Sequence, residues 1–227
     1  MIGGISDYDK TEVNDFGDVE RLKIGGHICK ILGVEIEEIT SKKDGKKYNI
    51  LKIKFDLEQP DEQAGFYQRK YSEASKKDSD TAKWKGYYKV SIPTKDSADF
   101  IKTNWKTFLT SVEKSNPGVK IDGANGFDEN ILVGKLFGGV FGLEEYILPT
   151  DGRKITFPRL RFARSVESAL KSKIPNVKLL DGTYMDYDDY MEKKDEREES
   201  LGKALEENGT IEDDERTSIL MTTYWLF

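Results

Sequence analysis

Cysteine and histidine are almost absent: the 227 residues contain one of each, Cys29 and His27. A lone cysteine excludes an internal disulfide, and one histidine beside it cannot complete a zinc site. No run approaches the roughly 20 apolar residues of a membrane helix. The first ten residues also lack the basic-then-apolar pattern of a secretory leader, so the expectation is a soluble, cytoplasmic protein. Sequence patterns for catalysis are equally sparse. Gly134, Gly138, Gly139 and Gly142 match neither a phosphate loop nor a dinucleotide fingerprint, and suit a strand that bends sharply. Asp186, Asp188 and Asp189 lack the spacing and the glycine of a calcium loop. Asp56, Glu58, Asp61 and Glu62 are local neighbours, whereas a two-metal nuclease needs acids converging from separate parts of the chain. No paired nucleophile and base stands out either. The reading is a non-enzyme with no metal and no cofactor.

Charge is plentiful and unevenly placed. The formal net charge is -6, yet residues 1–20 hold six acids against one base and residues 181–227 hold fifteen against five. The body between them holds thirty bases against 21 acids, a net +9. The expected organisation is an acidic lead-in over 1–21, a body over 22–180 and an acidic, partly helical extension over 181–227. A basic body can hold a polyanion by neutralising its phosphates. The alternative is that the acidic ends are merely solvated.

Within the body, apolar alternation predicts a long strand over 27–39, with Gly33 interrupting it where a bulge fits. The lysine-rich turn 41–47, with Asp44-Gly45 at its centre, leads into a second strand over 48–57. There Leu51, Ile53, Phe55 and Leu57 share one face, and Tyr48, Ile50, Lys52, Lys54 and Asp56 the other. Residues 65–72 read as a further strand, and the polar stretch 73–85 carries Trp84 between Lys83 and Lys85. Another strand follows over 86–92. Phe100, Ile101, Trp105, Phe108, Leu109 and Val112 then recur at helical spacing, with Asp96 or Ser97 as N-cap and a stop before Asn116-Pro117-Gly118. Strands over 131–147 and 155–164 flank the turn 149–154.

This order of strands around one helix predicts a mainly β fold with one core helix, an OB-fold-like five-stranded barrel. On that frame the candidate contacts fall together. Lys42, Lys43, Lys46 and Lys47 lie in the first turn and Arg153 and Lys154 in the last, while Lys52, Lys54, Arg69, Lys89, Arg159 and Arg161 line the strands. Tyr48, Tyr67, Trp84 and Tyr87 are candidate stacking platforms for the bases of a single strand, which such folds grip by phosphates and by ring faces. Alternatives stand beside each: a solvated hairpin turn for the lysines, a guarded sheet edge for Arg159 and Arg161, and simple sheet cover for Tyr48 and Tyr87.

The segments 26–31, 48–57, 108–118, 132–137 and 159–165, with the lysine-rich turn after the first, resemble a phage- and prophage-encoded family of single-stranded-DNA-binding proteins from Gram-positive bacteria. The resemblance spans roughly residues 22–180 and implies a role in phage DNA replication or recombination. The C-terminal region is similar to the acidic tails by which such proteins recruit replication enzymes. Here Asp213, Asp214 and Glu215 precede an apolar end that includes Trp225 and Phe227. Unlike those tails, eleven residues follow the acidic run and Arg216. That end either docks into a partner or packs back on the body. The rival for the whole protein is a non-enzymatic adaptor between proteins of a phage replication or host-takeover complex, with the lysines serving solubility.

Overall fold

The computed structural model describes residues 20–40, 45–148, 152 and 154–194. Apolar alternation produces a mixed sheet of seven strands. β1 (Gly25–Thr40) pairs antiparallel with β2 (Lys47–Leu57), and β2 with β3 (Tyr87–Ser91). On its other side β1 meets β4 (Leu136–Ile147), which pairs antiparallel with β5 (Lys154–Arg164). The short β6 (Val177–Lys178) joins β4 in parallel, and β7 (Tyr184–Met185) pairs with β6.

The long first strand is as expected, bulge included. Its register against β2 shifts between Ile31 and Gly33, leaving Leu32 as the extra residue. The bulge lets one strand serve two neighbours, with residues 25–30 on β4 and residues 29–40 on β2. Leu51, Ile53, Phe55 and Leu57 of β2 form one wall of the core with Cys29, Ile31, Val90, Phe137 and Phe141. Burial, with the charge of Asp61 adding to it, pushes the Cys29 thiol well above its usual range.

Helix α1 (Phe66–Lys77) and helix α2 (Asp99–Ser115) interrupt the strands. The expected strand over 65–72 is wrong, because Phe66, Tyr67, Lys70, Tyr71 and Ala74 recur at three and four, the helical period. Its first turn is capped from outside. Gly65 offers no side chain, and the buried Asp56 carboxylate accepts from Tyr67 N at 2.9 Å and Gln68 N at 3.0 Å, as well as from its neighbour Leu57 N. Asp56 is therefore no part of an exposed strand face. Helix α2 follows its predicted stripe at Phe108, Leu109 and Val112, while Trp105 stacks on Phe127 and Phe100 is exposed. Its N-cap is Ala98 instead of Asp96 or Ser97.

The sheet is not closed into a barrel, which corrects the expected five-stranded enclosure. Among the described residues β3 and β5 end the run of pairings without bonding each other. Helix α2 packs against β3, β4 and β5 instead. The Ser111 hydroxyl donates to the Ala163 carbonyl, and the Asn116 amide both accepts from Leu136 N and donates to its carbonyl. α2 thus contacts both of the strands that a closing ladder would join.

The glycines of β4 serve close approach as well as bending. A Cβ at Gly138 would stand 2.4 Å from the Ala169 Cβ, and one at Gly26 only 2.0 Å from the Ala169 carbonyl oxygen. Helix α3 (Val166–Leu170) can therefore lie directly on β1 and β4. Packing continues across residue 180. Val177, Leu179 and the fully buried Tyr190 form a second cluster with Leu143 and Met185, and residues 187–194 are helical.

One polar knot ties the start of the body to the end of β2. Asp61 accepts from His27 Nδ1 at 3.0 Å, Ile28 N at 3.0 Å and Gln63 N at 2.9 Å. The other ring nitrogen, His27 Nε2, faces the Lys23 carbonyl at 3.0 Å. Gln63 completes the seam by accepting from Lys23 N and donating to the Arg21 carbonyl. Removing one partner of a buried pair strands the rest without solvent. Asp61→Ala is predicted to lower the unfolding free energy by about 3–5 kcal/mol, measured by urea titration; an unchanged midpoint would refute the knot's structural role.

Candidate nucleic-acid interface

Three strands present their outward residues side by side. Lys52 stands opposite Glu35 of β1 and Lys89 of β3, while Lys54 stands opposite Gly33 and Tyr87. The register decides their electrostatics. Lys52 Nζ pairs with Glu37 at 2.5 Å and with Glu35 at 3.4 Å, and Lys89 Nζ reaches Glu37 at 3.2 Å. The hydrogen bond from Lys52 holds the Glu37 carboxyl below its usual range, and the same contact raises Lys52. The expected basic face is therefore largely compensated by Glu35 and Glu37. Their alternation along β1, in register with the lysines of β2, was the sequence signal for it.

Lys54 differs because Gly33 opposite it carries no acid. Its ammonium lies 4.5 Å from the centroid of the Trp84 ring, a cation–π contact. Trp84 is seated by its own backbone: Nε1 donates to the Gly86 carbonyl at 3.0 Å, and Tyr67 and Tyr71 pack beside the ring. A methyl at Gly86 would stand 2.3 Å from the Phe55 carbonyl oxygen, so this seat requires glycine. Lys54, Trp84 and Tyr87 share an open cavity of about 500 Å³ with Gln68, Tyr71 and Lys83. Sequence reasoning missed Gln68 and Tyr71 because it took α1 for a strand, and the helical spacing of Tyr67 and Tyr71 would have exposed them; Lys83 was noted beside Trp84 but not counted as a contact.

The remaining candidates are dispersed. Tyr67 is buried between Phe55, Phe66 and Trp84, so it supports the groove from beneath instead of offering a ring face. Burial raises its phenol well above the usual range, opposed by the Arg159 guanidinium nearby. Arg69 points to Glu20, with which it makes bonds of 2.7 and 3.2 Å. Lys46 and Lys47 are exposed at the first turn, Lys47 paired with Glu38, and Tyr48 is half-buried beside them. Lys42, Lys43 and Arg153 lie outside the described residues, as do Asp213, Asp214, Glu215, Trp225 and Phe227.

On the β4–β5 hairpin, Lys154 is a buried partner of Glu145 and so unavailable to a ligand in this arrangement. Arg159 pairs with Glu144 and lies over Phe157, and Arg161 lies over Tyr184. Among the described residues no group of three or more His, Cys, Asp or Glu side chains could hold a metal ion, and no helix is long and apolar enough to cross a membrane. No protein-family model matches the chain, and no curated protein matches it significantly.

If Glu37 screens the lysines, removing its charge frees two of them for phosphate. Glu37→Gln is predicted to tighten oligonucleotide binding and to steepen its salt dependence, by about 0.7 in the logarithmic slope for each phosphate newly contacted. An unaltered slope across a salt titration would show that Lys52 and Lys89 touch no phosphate.

Proposed function

We propose that the protein binds single-stranded DNA with little sequence preference, as a non-enzymatic component of phage replication or recombination. The observation that carries this reading is the groove that gathers Lys54, Trp84 and Tyr87 with Tyr71, Gln68 and Lys83. Cations beside exposed aromatic faces are what a single strand requires, since phosphates take the charge and bases take the rings. A duplex keeps its bases stacked inside and offers rings nothing to hold. The succession β3-β2-β1-β4-β5, with a helix inserted between β3 and β4, supports an OB-like lineage whose ladder is left open. The phage-family resemblance rests on the segments quoted above and supports the same biological setting.

The acidic C-terminal region is assigned two tasks under this reading, weak competition for the basic groove and recruitment of replication or recombination enzymes. Residues 195–227 hold ten acids against three bases, so they act on a cationic surface as a tethered polyanion. The adaptor reading draws on a different feature. Leu32, Ile131 and Val133 are exposed where the 3₁₀ turn Glu129–Leu132 meets β1, an apolar patch suited to another protein.

Fluorescence anisotropy with a labelled oligo(dT) of about 30 nucleotides, longer than the roughly 4–16 nucleotides that one OB module covers, tests the proposal. The expected result is tight binding that weakens steeply with salt, resists duplex competitor and is compared with an RNA oligomer of the same length. Removing residues 195–227, and not the packed segment before them, is predicted to tighten binding; equal affinity in the truncated chain would sink the competition role. No binding at low salt by either form would overturn the DNA reading and favour the adaptor.

A further inference from the structure

We propose that the groove between α1 and β3 is a one-nucleotide subsite, in which a base inserts beside Tyr71 and Tyr87, its phosphate meets Lys54 and Lys83, and Gln68 contacts the base edge. This deepens the single-strand reading and rests on it.

Three observations lead from the groove to a nucleotide. The first is its size. About 500 Å³ falls within the roughly 300–1,000 Å³ of small-molecule sites, a size suited to one nucleotide. A second hollow of about 290 Å³ continues past Tyr71 and brings Lys70 and Lys85 to its rim, which gives the strand an exit over α1.

The second is its charge. The groove is lined by Lys54 and Lys83 with no carboxylate among its lining residues. On the neighbouring sheet face Glu35 and Glu37 answer Lys52 and Lys89. An anion approaching these strands therefore finds its least compensated cations in the groove and not on the flat of the sheet.

The third is which rings are available. Trp84 is only 9% exposed, whereas Tyr71 and Tyr87 are 37% and 40% exposed. The indole, with Lys54 over its ring, is the floor; Lys52 Nζ lies 4.9 Å from the centroid of the Tyr87 ring, so Tyr71 is the principal face left for a base and Tyr87 flanks it. Gln68 is exposed at the same rim, where its side-chain amide makes a long 3.3 Å contact to the Ser72 hydroxyl. Its amide offers both a donor and an acceptor to a base edge, the chemistry that a surface lysine lacks.

The test uses the full chain and the labelled oligo(dT), with poly(dA) and poly(dC) oligomers of equal length beside it. Tyr71→Ala is expected to weaken binding by about 5- to 150-fold, the loss of one stacked base. Tyr71→Phe is expected to restore it, because the ring and not the hydroxyl does the stacking. Gln68→Ala is expected to flatten whatever preference the unmodified chain shows among the three oligomers. Far-ultraviolet circular dichroism and the urea midpoint check that each variant is folded. Binding by the unmodified chain that Tyr71→Ala and Gln68→Ala leave unchanged overturns the subsite while the single-strand reading stands. Failure of the unmodified chain to bind any oligomer at low salt overturns the reading beneath it and the subsite together.

Discussion

The groove depends on one carboxylate. Asp56, at the end of β2, turns inward and uses its oxygens on the free amides at the start of α1. That contact anchors the helix to the strand that also carries Lys54, two residues earlier. Once α1 is anchored, Tyr67 packs on Phe55 and Trp84 is enclosed, and Gln68 and Tyr71 are carried to the rim. A helix start leaves several N–H groups without partners, and a charged acceptor in a dry site satisfies them more strongly than a neutral one. Asp61 does related work five residues on, tying His27 and Ile28 to the turn that follows β2. Two buried acids therefore hold the first strand, the second strand and the first helix in one arrangement.

The same accounting explains why charge is a poor map of the interface. A net +9 body suggests a broad cationic surface, yet the sheet's register sets Glu35 and Glu37 against Lys52 and Lys89. Exposed pairs of this kind contribute little to stability. Their larger effect is on what a phosphate meets: a lysine already held by a carboxylate must give up one partner to take another. Lys54 escapes because the β1 bulge places Gly33, and no acid, across from it. The local electrostatics of the groove thus follow from a backbone irregularity in the neighbouring strand, directly across from Lys54.

How much of this was legible in the sequence follows the period of each segment. Strands with clean alternation and the Gly33 bulge could be read directly, because one buried face imposes a period of two. The α2 stripe was equally clear. Residues 65–72 were misread since the adjacent residues Phe66-Tyr67 and Lys70-Tyr71 fit a short strand and a helix alike. What decides between them is the Asp56 cap, which is contributed ten residues upstream of the helix. Closure of the barrel was illegible for a related reason. It depends on whether β3 and β5 meet, and α2 packs against both. Of the candidate site, Lys54, Trp84 and Tyr87 converge, whereas Tyr67 is part of the floor and Lys154 is buried with Glu145. Burial of a lysine in an ion pair has no signature in local composition.

Arg159 and Arg161 illustrate how an open sheet redistributes function. An unpaired strand end invites association with other chains, and proteins blunt it with cations, prolines and short strands. β5 is a long strand at one end of the pairings, and it carries Pro158 within it and Arg159, Arg161 and Arg164 along it. Proline in a strand belongs on such an edge, since it cannot donate to a ladder. The arginines are also engaged, Arg159 with Glu144 and Phe157, Arg161 with Tyr184 and Arg164 with Phe162. Edge protection accounts for these features without a ligand. The case for nucleic acid therefore rests on the opposite end of the sheet, where β3 is short and α1 turns its border into a concave site. There the cations face aromatic rings and a cavity, and edge protection alone would require neither.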